Sequence, residues 1–243
     1  MNIKLFSMKK TDTHLQINIL GIKYKFKRNH LNNINIIQGM NNEIISDESI
    51  RNINVNISIK GSNNKIIMNQ LSGLNSDIQI NINANNSLID ISNIGVIGKL
   101  VIICGRVWGE QTENIHIKIG YGTSIESAQL ECIHKDTNLI IGENCMISSD
   151  VFIMNSDHHP IFDEQNNIIN KAGDLIIGNH VWIGRKVNIL KNSKIGDNSI
   201  IGFGSIVTKQ FTENNVAIAG IPAKIVKRNI KWEINHPSFL DKG

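Results

Sequence analysis

The chain has 243 residues and a mass of 27.1 kDa, with 25 basic against 21 acidic residues. That length can enclose one or two hydrophobic cores, and a composition that is 41% hydrophobic and 19% charged excludes a disordered chain. The net charge of +4 gives no reason to expect nucleic-acid binding. No apolar run is as long as the roughly 18 residues that a membrane-spanning helix requires.

Three cysteines and the first residues of the chain indicate a cellular compartment. Cys104, Cys132 and Cys145 match neither a disulfide nor a metal-site spacing. Residues 1–10 lack the apolar core of a secretory signal. We therefore expect a cytoplasmic protein with free thiols.

Isoleucine and asparagine dominate the composition, with 49 and 35 residues. Isoleucine is β-branched and favours strands. Asparagine tolerates the left-handed backbone region and favours tight turns. The composition therefore favours short strands joined by tight corners.

The upstream part of the chain carries the weaker signals. Residues 1–50 are predicted to form a β-rich extension or cap, whose basic stretch Lys23–Arg28 is most simply a solvated strand face. The alternation over Asn52–Ile59 indicates a strand. We expect further Asn-rich coils, with a loose period, up to residue 118.

A strict period of six appears later. From Ile177 to Val207 every sixth residue is Ile or Val, and the fifth position of each hexad is small or medium-sized. The same phase holds upstream at Ile141, Ile147 and Ile153. An amphipathic helix does not have this spacing. Three hexads predict one triangular coil of about 18 residues, with the first position of each hexad pointing inward and parallel pairing between coils.

A segment over about residues 155–173 interrupts the period. Ile153 and Ile177 are 24 residues apart, a whole number of hexads, so the coil can resume in register. The segment between them is polar and contains His158, His159 and Pro160. We predict a loop that leaves the prism, and loops on rigid scaffolds often carry chemistry.

Residues 141–228 resemble the hexapeptide-repeat acetyltransferases. The resemblance is carried by the hexads, the Asp-His-His-Pro sequence of the loop, Val181–Gly184, Gly202–Lys209 and Ala219–Lys224, in that order. Within that family, the loop and Asn229–Trp232 are most similar to O-acetyltransferases of bacterial surface sugars.

The resemblance implies a fold, an assembly and an activity. The fold is an all-β, left-handed parallel β-helix over residues 51–224, with a tail over 225–243 that is a short helix or an extended arm. The handedness rests on the family, because parallel crossovers are otherwise right-handed. The assembly is a homotrimer with active sites between subunits. The activity is transfer from acetyl-CoA to a sugar hydroxyl of a capsular or other surface polysaccharide or its precursor, in a ternary complex, with no metal.

The resemblance also implies roles for individual residues. His159 is the expected general base, because a histidine pKa lies near working pH. His158 is its rival, and Asp157 is a candidate to hold the imidazole tautomer. The residues expected to bind acetyl-CoA are Trp182 at the thiol end, Gly184, Gly202 and Phe203 along the pantetheine arm, Thr208 and Lys209 near the pantetheine and nucleotide, and Lys224 and Lys227 at the phosphates.

Other interpretations stay open on the residues alone. One is N-acetylation of an amino-sugar nucleotide. Another is a zinc hydratase of the same fold with His158, His159 and His180 as ligands, although His180, His134 and His116 are each better explained as structural. A third is a non-catalytic scaffold. If the basic stretch at residues 23–28 faces the acceptor, we expect an anionic glycan such as a sialic-acid polymer.

Overall fold

The computed structural model describes residues 6–10, 14–19, 22–27, 33–47, 50, 53–73, 76–106 and 111–234, with side chains from residue 38 onward. Within these ranges the regular secondary structure is all strand, and the all-β prediction is confirmed. In the same ranges no helix is long and apolar enough to cross a membrane.

The strands of the first half run from the N-terminal sheet to the middle of the coiled region. They are β1 (Phe6–Lys10), β2 (His14–Ile19), β3 (Ile22–Lys27), β4 (Asn33–Gln38), β5 (Glu43–Ser46), β6 (Ile53–Lys60), β7 (Lys65–Met68), β8 (Ser72–Gly73), β9 (Ser76–Asn85), β10 (Leu88–Asp90), β11 (Gly95–Gly105), β12 (Thr112–Glu113), β13 (Ile115–Ile119) and β14 (Ser124–Cys132).

The strands of the second half are shorter. They are β15 (Thr137–Ile141), β16 (Met146–Ile147), β17 (Val151–Met154), β18 (Leu175–Ile177), β19 (Trp182–Ile183), β20 (Asn188–Ile189), β21 (Lys194–Ile195), β22 (Ile200–Ile201), β23 (Ile206–Val207), β24 (Ala217–Gly220) and β25 (Ala223–Lys227).

The parallel strands stack as three walls of a prism. Wall A contains β15, β18 and β21, and β5, β7, β10 and β13 continue it upstream. Wall B contains β16, β19 and β22, and wall C contains β17, β20 and β23. Strand β14 pairs with both β16 and β17, so the long upstream strands bend from wall B into wall C.

The sheet of β1, β2 and β3 is antiparallel and precedes the prism. Strand β4 already pairs in parallel with β6, so the ladder of coils begins at residue 33. The division at residues 50 and 224 stays a prediction. The backbone of residues 23–27 lies in β3, whereas Arg28 and the side chains of this basic stretch lie outside the described residues.

The six-residue period has the predicted structural basis. The first-position residues are all buried, with exposed fractions of 4% or less: Ile177, Ile183, Ile189, Ile195, Ile201 and Val207. The fifth positions are also buried: Val181, Val187, Ser193, Ser199 and Ser205. Large side chains therefore fill the prism from its walls and small ones from its corners.

Coil length separates the two halves of the prism. Trp182 pairs with Ile200, 18 residues on, as three hexads predict. Val55 pairs with Ile78 and Leu100 with Ala128, which are 23 and 28 residues apart. The upstream strands are longer, up to 11 residues in β11, so their coils have no fixed period in the sequence.

Asparagine forms many of the corners. Of 17 described residues other than glycine with positive φ, 11 are Asn. Some also stack between coils: the Nδ2 of Asn63 donates to Oδ1 of Asn86, and the Nδ2 of Asn41 donates to Oδ1 of Asn63. The abundance of Asn therefore has a structural role in this fold.

The C-terminal tail is extended over its described residues. Strand β25 folds back antiparallel on β24. Beyond it, the Trp232 ring stacks on His180 with centroids 4.1 Å apart, and its Nε1 donates to the His180 carbonyl. His180 is thus a packing residue, as expected. Of the two alternatives for the tail, the short helix is absent from the described residues up to 234.

Candidate active site

The histidine loop leaves the prism at the corner between walls C and A. The Gly173 amide donates to the Asn155 carbonyl at 3.4 Å and closes the base of the loop. The buried Asn155 side chain holds this base, because its Nδ2 donates to Thr137 Oγ1 at 2.8 Å and its Oδ1 accepts from the Ile133 amide at 3.0 Å. The loop between these two hydrogen-bonded residues comprises 156–172.

His158 is held by a buried carboxylate. Its Nε2 lies 3.0 Å from Oε2 of Glu131, whose side chain is only 9% exposed. The second oxygen of Glu131 accepts from the Gln129 amide. An ionised carboxylate can only accept, so His158 Nε2 is the donor in a hydrogen bond to the Glu131 carboxylate. The backbone of His158 lies in the left-handed region, with φ of 62°.

Asp157 has different partners. Lys191 and Asn170 both donate to its Oδ2, the latter at 2.8 Å. The hydrogen bond from the Lys191 ammonium is the main cause that lowers the pKa of Asp157 below its ordinary value. Lys191 also donates to the Asn170 carbonyl at 3.0 Å. Asp157 therefore ties the two arms of the loop to the following coil.

His159 is fixed through its backbone. Its amide donates to the Asp157 carbonyl at 2.7 Å, and its carbonyl accepts from Asn170 Nδ2 at 2.8 Å. Within the described residues its ring has no hydrogen-bond partner. His159 lines a cavity of about 500 Å³, together with Arg106, Ile133, His134, Ser156, Asp157 and His158. Both loop histidines therefore border one space.

Most of the predicted cofactor residues gather around wall B. Trp182 lies on that wall with 36% of its surface exposed, and Phe203 projects nearby with 70% exposed. A Cβ on Gly184 would lie 2.8 Å from the Ile201 carbonyl oxygen, so close packing of the coils also explains this glycine. A Cβ on Gly202 would meet the Ala219 side chain at 3.2 Å.

The remaining cofactor candidates lie in two places. Lys224 and Lys227 are exposed on β25, beside wall B. Thr208 and Lys209 follow β23 and lie at the corner that carries the histidine loop, with Lys209 Nζ 5.4 Å from the centre of the Phe211 ring. Within one chain, Trp182 and the histidine loop thus belong to different parts of the prism surface.

Sequence reasoning missed several residues of this site. Glu131 and Lys191 contact the loop across 27 and 34 residues, and neither belongs to a motif. Arg106 lines the same cavity, next to His134. Burial and the nearby charges of Arg106 and Lys135 lower the pKa of His134.

The three thiols are poor nucleophiles. All are buried, and burial is the main cause that raises the pKa of Cys132 to about 12 and that of Cys145 to about 11. The pKa of Cys104 is raised further for the same reason. Over the described ranges, no three His, Cys, Asp or Glu side chains group as metal ligands.

Comparison with known proteins adds a second line of evidence. Residues 174–209 match the family described as bacterial transferase hexapeptide (six repeats). The chain is 36% identical over 211 residues to a polysialic acid O-acetyltransferase of Neisseria meningitidis, an alignment that covers 84% of the chain and 92% of the relative. It is 42% identical over 122 residues to a polysialic acid O-acetyltransferase of Escherichia coli O1:K1 / APEC, spanning 50% of the chain and 39% of that relative.

A solved structure is similar to this chain over most of its length. The crystallographic structure of the polysialic acid O-acetyltransferase OatWY superposes with a TM-score of 0.64 at 30% identity, over 85% of this chain and 95% of that one. The match includes the coils upstream of the hexads, which the family pattern alone does not reach. The parallel β-helix is accordingly left-handed.

Proposed function

The chain belongs to the hexapeptide-repeat acetyltransferases, and on that premise we propose that it transfers acetyl from acetyl-CoA to a hydroxyl of an anionic capsular polysaccharide of the polysialic acid type. The observation that carries the proposal is the cavity of about 500 Å³ that both loop histidines line. The names of the two relatives and of the solved structure support the acceptor class.

In the proposed mechanism an imidazole takes the proton of the acceptor hydroxyl. The oxygen attacks the thioester carbonyl carbon, and the tetrahedral intermediate expels the thiolate of coenzyme A, which receives the proton from the imidazolium. General bases of this kind contribute about 10²–10⁴-fold. Direct transfer is favoured over an acyl-enzyme, because burial keeps Cys132 and Cys145 protonated near neutral pH. No step requires a metal.

We assign the base to His159 and a positioning role to His158. His159 lines the cavity, and its ring has no hydrogen-bond partner among the described residues, whereas His158 Nε2 contacts Glu131. The competing assignment is a His158–Glu131 dyad, in which the carboxylate orients the imidazole as in catalytic triads. Under both assignments, Asp157 accepts a hydrogen bond from Lys191 and anchors the loop.

The donor and the oligomer follow from the rest of the surface. Trp182, Gly184, Gly202 and Phe203, with Lys224 and Lys227 on β25, are proposed to line the path of acetyl-CoA along wall B. Because Trp182 and the histidine loop occupy different parts of one prism, a second copy is needed to bring them together, which supports a homotrimer. Thr208 and Lys209 lie at the loop corner, where the two surfaces would meet.

The location proposed for the protein is the cytoplasm, because its buried thiols are free.

The test measures release of free thiol from acetyl-CoA with long-chain polysialic acid as acceptor. We expect His159→Ala to lower kcat at least about 100-fold, with His116→Ala, an imidazole on wall A, as the matched control. His158→Ala and Glu131→Gln separate the two assignments. If turnover is lost in His158→Ala but not in His159→Ala, the base is the His158–Glu131 dyad. If both variants keep their turnover, the proposed mechanism fails.

A further inference from the structure

One corner of the prism leads along the axis to the histidine loop. Lys60, Asn83 and Gly105 pair in register at the ends of β6, β9 and β11. Cys104 pairs with Cys132 at the end of β14, so Arg106 and the segment that contains His134 follow at the same corner. The Nδ2 of Asn83 donates to the Arg106 carbonyl at 2.5 Å and fixes the backbone there.

Three cavities open along this corner, and Arg106 lines all of them. One, of about 320 Å³, includes Lys60 and Asn83. A second, of about 370 Å³, includes Gln111, His134 and Lys135. The third is the cavity of about 500 Å³ below the histidine loop. The three cavities share Arg106 at one corner of the prism, and together we call them the corner groove.

The corner groove has excess positive charge. Lys60, Arg106 and Lys135 are exposed, and in the described part of the chain none of them has an ion-pair partner. Among the described residues, two acidic ones line the three cavities, Asp157 and Glu113. Asp157 is paired with Lys191, so of these two only Glu113 offsets the charge of the three cations in these cavities. Burial is the main cause that lowers the pKa of His134, and the nearby charges of Arg106 and Lys135 lower it further.

The shape of the corner groove selects an elongated ligand. Coils repeat about every 4.8 Å, so the four steps from Lys60 to the loop span roughly 19 Å. The cations are distributed along that length and do not converge on one point, which suits an anion that repeats along a chain. Amide side chains such as Asn81, Asn83, Asn85 and Gln111 line the cavities between them and can bond sugar hydroxyls.

We infer that the corner groove binds an anionic polysaccharide chain lengthwise and leads it to the loop histidines, with Arg106 as the central contact. This inference rests on the proposed function and adds to it an acceptor-binding site that extends over about four coils outside the catalytic loop. It predicts that the enzyme distinguishes long acceptors from short ones, because only a long chain reaches Lys60 while one residue occupies the catalytic cavity that Arg106 also lines.

The test compares long-chain polysialic acid with disialic acid in the thiol-release assay. Arg106→Glu is expected to raise KM for the long chain about fivefold or more, the equivalent of about 1 kcal/mol. KM for acetyl-CoA is expected to stay unchanged, whereas KM for disialic acid is expected to rise as well, because Arg106 also lines the catalytic cavity. Lys60→Ala is expected to raise KM for the long chain and to leave kcat and KM for disialic acid unchanged, because of the three cavities Lys60 lines only that of about 320 Å³. Lys99→Ala is the matched control, because this exposed lysine lies in the middle of β11 and lines none of the three cavities.

A second measurement does not depend on turnover. Histidine NMR titration is expected to show that long-chain polysialic acid raises the pKa of His134 in the wild-type protein, since its carboxylates offset the charges of Arg106 and Lys135. In the absence of the polymer, Arg106→Ala is expected to raise the pKa of His134.

The outcomes separate the two proposals. If the polymer binds but is not acetylated, the corner groove stands as a binding site and the proposed acceptor is refuted. Equal KM values for wild type and Arg106→Glu, or a changed oligomeric mass in that variant, would overturn the inference.

Discussion

At the scale of single residues, Lys191 controls the ionisation of the loop. Its ammonium is the main cause of the lowered pKa of Asp157. We expect Lys191→Met to raise that pKa toward the ordinary value, as followed by NMR titration of the carboxyl group. A depressed carboxyl pKa stabilises the fold above the ordinary value and loses this effect as pH falls through the depressed one. The variant should therefore lose part of the stability difference between neutral pH and about pH 3.

The control for this prediction removes a cation elsewhere. Lys118→Met takes an exposed lysine from wall A, and the pKa of Asp157 should not change. The effect of Lys191→Met on the free energy of unfolding is expected to be small, because the Asp157 side chain is 38% exposed and solvent screens the pair. An Asp157 pKa that is the same in wild type and Lys191→Met would contradict the contact.

At the scale of the elements, the stacked isoleucines of wall B stabilise the prism. Ile183 is fully buried and pairs with Ile147 in the coil before and Ile201 in the coil after. We expect Ile183→Ala to lower the free energy of unfolding by about 2–5 kcal/mol, because the cavity cannot close between rigid coils. Urea denaturation at a fixed protein concentration measures this loss.

An exposed isoleucine provides the matched comparison. Ile97 lies in β11 with 64% of its surface exposed, and Ile97→Ala should change the free energy of unfolding by less than about 0.5 kcal/mol. Ile183→Val should cost about 1 kcal/mol. If the alanine variants at positions 97 and 183 were equally stable, the inward direction of the six-residue period would be wrong.

At the scale of the whole molecule, the proposed active site requires two copies of the chain. We expect a mass of about three times 27.1 kDa by light scattering. Co-expressed His159→Ala and Trp182→Ala chains should regain activity, since a site can combine the intact loop of one with the intact Trp182 of the other. Random mixing restores about a quarter of the sites.

The separate variants are the controls for this complementation. Each homotrimer should be inactive, and mixing after purification should restore activity only if subunits exchange. Failure of the co-expressed pair, in trimers shown to contain both chains, would indicate that one chain supplies both His159 and Trp182 to the same site.

Part of the site was accessible from sequence. The loop was predicted because it breaks a six-residue period and the coil resumes after a whole number of hexads. Its two histidines line one cavity, as expected for a site. The roles of His159, His158 and Asp157 stay proposals. The partner of an imidazole in this structure is Glu131 rather than Asp157, and no motif marks Glu131.

Local spacing was enough for the prism downstream of residue 174 and for the place where the loop emerges, because each hexad forms one short strand and one corner. It was not enough for the upstream coils, whose strands vary in length. Contacts between coils were decided only by the folded chain: the register of the stacked walls sets which residues, 18 to 36 positions apart, become neighbours. Glu131 with His158, Lys191 with Asp157 and the cations of the corner groove all arise from that register.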